Sequence, residues 1–170
     1  MALIVYDGTN PTTAEALYSA ADFDAFMVDN YGAAADGTTE QKEATLRRVN
    51  SYKMGLPWQT DTLSGYAQTV PFPRVGFDGV PWQVIKAGLM LARAEHSSVG
   101  ALSPSAAMTD RVKREKIDAI EVEYVVSDKV DASRVLVTDA LNLLRPFLQP
   151  GALADMGMTE TYQSWGIAAV

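Results

Sequence analysis

The chain has no cysteine, which excludes disulfides, zinc-thiolate sites, iron–sulfur clusters and thiol nucleophiles, and leaves its redox compartment unread. A single histidine, His96, thins the remaining catalytic and metal chemistries further. Basic residues are in deficit: 14 Lys and Arg against 21 Asp and Glu give a net charge of -7 and a pI of about 4.6. That is opposite in sign to the electrostatic footprint of most nucleic-acid binders. Long hydrophobic runs are missing too. The two longest apolar stretches, 84–94 and 135–148, are broken by Lys86, Arg93, Asp139 and Arg145, short of the roughly 20 residues needed to cross a bilayer. No basic segment precedes the short apolar run Ala2–Tyr6, so a soluble protein without a signal peptide and without membrane contact is expected. What remains is ordinary: 170 residues, 48% apolar and 21% charged, enough for one domain that buries roughly 70% of its unfolded surface.

Residues 2–6 are rich in β-branched and aromatic residues and stop at Asp7-Gly8, predicting a short strand or extended arm. Ser19 stands at an N-cap position with Asp22 three residues on, a weaker form of a capping box. Phe23, Phe26, Met27 and Tyr31 then recur at three and four, predicting a helix over 20–31 that ends at Gly32. Thr38 or Thr39 caps a second helix, with Glu40 and Glu43 early and Arg47, Arg48 and Lys53 late, which complements the macrodipole. Gly55 and Pro57 stop it. Residues 56–79 carry Pro57, Pro71, Pro73, Gly65, Gly76 and Gly79 and read as a long irregular loop, with Trp58, Tyr66, Phe72 and Phe77 available for packing.

Pro81 opens a central helix over 82–95, apolar on nearly every side. Residues 96–109 read as a mobile loop. Over 112–126 polar and apolar residues alternate, predicting a β-hairpin that turns near 117–119. Asp131 caps a fourth helix over 132–147, striped by Leu136, Val137, Ala140, Leu141, Leu144 and Leu148. The expected fold is mainly α: a four-helix bundle over 1–148 with one hairpin within 111–126, and extended N- and C-terminal arms.

Catalytic signals are sparse. His96 has serines beside it but no nucleophile elbow; Asp22 and Asp24 point to different helix faces and make poor co-ligands; Gly76-Phe77-Asp78-Gly79 lacks the Lys and Ser/Thr of a phosphate loop. No enzyme, metal or cofactor is expected. The basic run Arg111, Lys113, Arg114 and Lys116 beside Tyr124 could hold a phosphate backbone while the aromatic stacks on a base, or simply guard a solvated hairpin edge. Against DNA binding stand eight carboxylates up to Glu43, with only Lys42 to offset them. The tail 149–170 carries Met156, Met158, Tyr162, Trp165 and Ile167, which water should not be left to cover. It either folds back on its own domain or reaches a partner by strand addition.

Ordered matches give a resemblance. Met1-Ala2-Leu3-Ile4-Val5 with Asp7-Gly8-Thr9, Leu17-Tyr18-Ser19 with Ala21-Asp22, Phe26 and Gly32, the Arg48-to-Tyr52 helix end, Phe72-Pro73-Arg74 with Gly76, Pro81, and Ile120-Glu121-Val122-Glu123-Tyr124 together resemble a family of small tailed-bacteriophage proteins. The chain departs from that family's turn, which usually carries Gly where Asp118 stands. The family is often labelled as similar to a single-stranded-DNA-binding primosomal protein, while its role looks like that of a head-tail connector. The resemblance implies a virion neck adaptor, made in the host cytoplasm, that assembles with copies of itself into a ring, a dodecamer, between the portal and a stopper or tail-terminator protein. An acidic lumen would let genomic DNA slide without specific binding. The alternative is a single-stranded-DNA-binding accessory protein.

Overall fold

The computed structural model describes residues 1–102, the backbone of 114–117 and 120–123, and residues 137–155. Among these the architecture is mainly helical: α1 Ala20–Tyr31, α2 Thr39–Met54, α3 Trp82–Ser97, α4 over 137–144, and the single turn α5 Ala152–Asp155. The first two start as side-chain capping predicts. The Ser19 hydroxyl accepts from the Asp22 N–H at 3.1 Å while the Asp22 carboxylate accepts from the Ser19 N–H at 2.8 Å. At α2 the same reciprocal pair is made by Thr38 and Gln41. Gly32, at φ 82°, closes α1 in the left-handed region that favours glycine.

Helices α1, α2 and α3 pack on one another around Phe23, Leu46, Val49, Val84 and Leu91, all fully buried. The loop 55–81 is not a loose wrapper. Phe72 is fully buried, with Trp58, Phe77 and Phe147 edge-on at 5.2, 5.6 and 6.2 Å. Arg74 fixes the loop from inside: its Nε donates to Pro71 O at 2.7 Å, another guanidinium nitrogen donates to Thr60 O, and the group lies 5.1 Å from the Trp58 ring. The aromatic and arginine chemistry supplies the order that periodicity does not.

Two expectations shift. Helix α3 runs to Ser97, so His96 belongs to its last turn rather than to a loop. The chain does not leave the body at Gln149: the Gln149 N–H donates to Pro57 O at 2.9 Å, and Ala152 and Leu153 are buried in the core cluster. The tail expected over 149–170 therefore begins with residues the body needs, and 156–170 lie outside the described residues. In backbone, Arg114–Ile117 (β1) and Ile120–Glu123 (β2) run antiparallel, with Arg114 opposite Glu123 and Lys116 opposite Glu121. Residues 118–119 and the rest of the expected 111–126 hairpin lie outside the described residues, as does the first turn of the helix expected over 132–147.

Candidate nucleic-acid interface

The expected contact residues divide unevenly. Arg111, Lys113 and Tyr124 lie outside the described residues, as do Met156, Met158, Tyr162, Trp165 and Ile167. Arg114 and Lys116 are in β1, where the register sets each basic position opposite an acidic one. His96 is structural: Nδ1 lies 3.3 Å from Thr45 Oγ1, Nε2 lies 2.8 Å from Asp36 O, and the ring meets Phe23 edge-on at 5.7 Å.

Most of the other described cations are engaged. Lys42 is paired with Asp24 at 2.7 Å, Arg47 with Glu15 at 3.0 Å, and Arg48 with the buried Glu95 at 2.7 Å. Glu95 also accepts from the Gly100 and Leu102 N–H groups, which ties down the turn after α3. Lys53 and Arg74 are buried. Lys86 and Arg93 carry no carboxylate partner among the described residues. Both are on α3.

With Trp82 they form a stripe. At 100° per residue, positions 82, 86 and 93 fall within an arc of about 40° and span roughly 16 Å along the axis. Trp82 is 61% exposed. Arg93 places its guanidinium 3.4 Å from the centroid of the Tyr31 ring, itself 42% exposed, which holds the cation at the surface by stacking rather than by neutralising it. Sequence reading counted Lys86 and Arg93 as interruptions of an apolar helix. Their shared face was the signal that could have found them.

Beside the stripe, α1 and α3 bound an open groove of about 460 Å³ lined by Leu17, Phe26, Ile85 and Leu89, with Asp22 and Asp29 on its α1 side. Asp22 is engaged in the cap; Asp29 has no ion pair among the described residues. A second exposed aromatic, Tyr66, stands on the 3-10 turn Gly65–Ala67 with Leu63 and Val75 exposed nearby, but the one cation in that segment, Arg74, is turned inward.

Exposed aromatic faces interleaved with unneutralised cations are the means by which proteins hold single strands without reading sequence. The family model described as "Putative DnaT-like ssDNA binding protein" matches residues 1–162. The chain belongs to that family. No curated protein and no solved structure matches it.

This membership overturns the head-tail connector expectation, and with it the self-assembled ring, the portal, stopper and tail-terminator partners, and a genome that passes without being bound. The physical error lay in treating a net charge of -7 as a property of the whole surface. Lys42, Arg47 and Arg48 are internally paired, whereas Lys86 and Arg93 of the α3 stripe have no carboxylate partner among the described residues.

Proposed function

We propose that this protein is a non-enzymatic accessory factor that binds single-stranded DNA, with α3 as its principal contact. The bundle of four helices is the scaffold, and the hairpin of 111–126 is an appended arm. The observation that carries this reading is the coincidence on one face of α3 of Lys86 and Arg93, neither paired with a carboxylate among the described residues, with the exposed Trp82. Lys86 and Arg93 neutralise phosphates, and Trp82 offers a ring for base stacking, worth about 1 to 3 kcal/mol per base. Family membership supports the same ligand class. The acidic α1 face limits affinity and makes it sensitive to salt.

The test is fluorescence anisotropy with a labelled thymidine oligomer at about 50 mM salt, read alongside tryptophan emission. Binding should quench the emission, and Trp82→Ala should remove most of the quenching and weaken the complex. Absence of binding by the wild-type chain, or binding that Trp82→Ala and Lys86→Gln leave untouched, would overturn the proposal.

A further inference from the structure

Lys53, in the last turn of α2, is 1% exposed. Its Nζ donates to the Val84 carbonyl at 3.2 Å and lies 5.4 Å from the centroid of the Tyr18 ring. The groups around the side chain come from two elements, Tyr18 from the segment before α1 and Val84 and Gly88 from α3, while the main-chain carbonyl of Lys53 accepts from Nε1 of the buried Trp58 at 2.8 Å. Tyr18 is the titratable member of this set, and burial pushes its phenol well above the ordinary range. No carboxylate pairs with Lys53 among the described salt bridges. Gly88 leaves the space: a Cβ there would collide with the Tyr18 hydroxyl and stand 2.9 Å from Lys53 Nζ.

Arg74 shows the alternative. It is also buried, but its fork of donors meets two carbonyls and two aromatic faces, and a guanidinium keeps its charge under such conditions. A buried ammonium with one carbonyl does not. Burial pulls the Lys53 amine down to about 7, because desolvation penalises its charged form and nothing of opposite sign compensates.

We propose that Lys53 is a proton switch in the joint between α1 and α3, whose charging loosens the packing that holds the α3 stripe against α1. The link is direct: Val84 and Gly88 belong to the same turns of α3 as Trp82 and Lys86, and Tyr18 forms part of the groove beside them. The switch itself is independent of the DNA-binding reading, and its consequence for oligonucleotide affinity rests on that reading.

The experiment is an NMR titration of lysine-labelled full-length protein, with amide exchange at 17–20 and 84–88 followed from about pH 9 to about pH 6. Lys53 is expected to titrate near neutrality, apart from the other lysines, and protection of both segments to fall as it charges. In Lys53→Met that loss of protection disappears. Oligonucleotide affinity of the wild type should drop at least about threefold relative to Lys53→Met over the same interval. Titration of Lys53 near the ordinary lysine value, or an unchanged exchange profile in Lys53→Met, would overturn the switch. Should Lys53→Met fail to fold, the wild-type titration and exchange still decide. A normal switch in a protein with no oligonucleotide affinity would instead reject the DNA-binding reading alone.

Discussion

Helices α1 and α3 pack together yet show solvent opposite chemistry. The outer part of α1 presents Asp22 and Asp29, while α3 presents Trp82, Lys86 and Arg93. Both belong to one chain with a net charge of -7, so overall charge says little about what a given face can bind. Pairing decides. Asp24 is consumed by Lys42 and Glu95 by Arg48, whereas Lys86 has no such partner among the described residues and Arg93 is held by a ring that leaves its charge intact.

The largest expected effect falls on the joint between these faces. The folded Lys53 amine sits at about 7 against an ordinary value of 10.5. Between those pH values the unfolded chain holds a proton that the folded chain does not, so stability rises with pH across the window, by roughly 1 kcal/mol per pH unit, and levels off below it. Urea unfolding at a series of pH values should show that slope in the wild type and its loss in Lys53→Met. Next comes Gly88→Ala, which forces a methyl into Tyr18 and should cost about 2 kcal/mol despite the better helix propensity of alanine, measured by the same unfolding.

On the α3 face, the double variant Trp82→Ala with Lys86→Gln should weaken oligonucleotide binding about 30-fold, the loss of one stack and one phosphate contact, with an unchanged circular dichroism spectrum. On the α1 face, Asp29→Asn should strengthen binding about twofold at low salt by removing a repelling charge. Tyr66→Ala, on the loop whose arginine faces inward, should leave affinity within error. If Tyr66→Ala proved as damaging as the α3 variant, the contrast between the two faces would be misplaced.

The helices were readable because their signals are local. Ser19 and Asp22, then Phe23, Phe26 and Met27, fix α1 by capping and spacing, and the observed bounds Ala20–Tyr31 agree. Trp58, Tyr66, Phe72 and Phe77 were readable as available for packing, but that Phe72 is buried while Tyr66 is exposed, and that Arg74 turns inward, was not, since a segment without a period conceals which of its residues face the core. Lys53 carries two readings in sequence: a last-turn complement to the dipole, and, with Tyr52, a candidate to continue the thin apolar stripe of Leu46 and Val49; the tertiary approach of Tyr18 and Gly88 buries it. The end of α3 was set two residues too early, at Glu95 instead of Ser97, because Ser97, Ser98 and Gly100 suggest a loop, while His96 in fact meets Thr45 and Asp36 from the last turn.

The most direct measurement is the salt dependence of oligonucleotide affinity for the wild type and for Lys86→Gln with Arg93→Gln. Two phosphate contacts on a single strand predict a log–log slope near -1.4, at about -0.7 per contact, which should flatten toward zero in the double variant. A slope that stays the same after both cations are removed would contradict a DNA interface on α3.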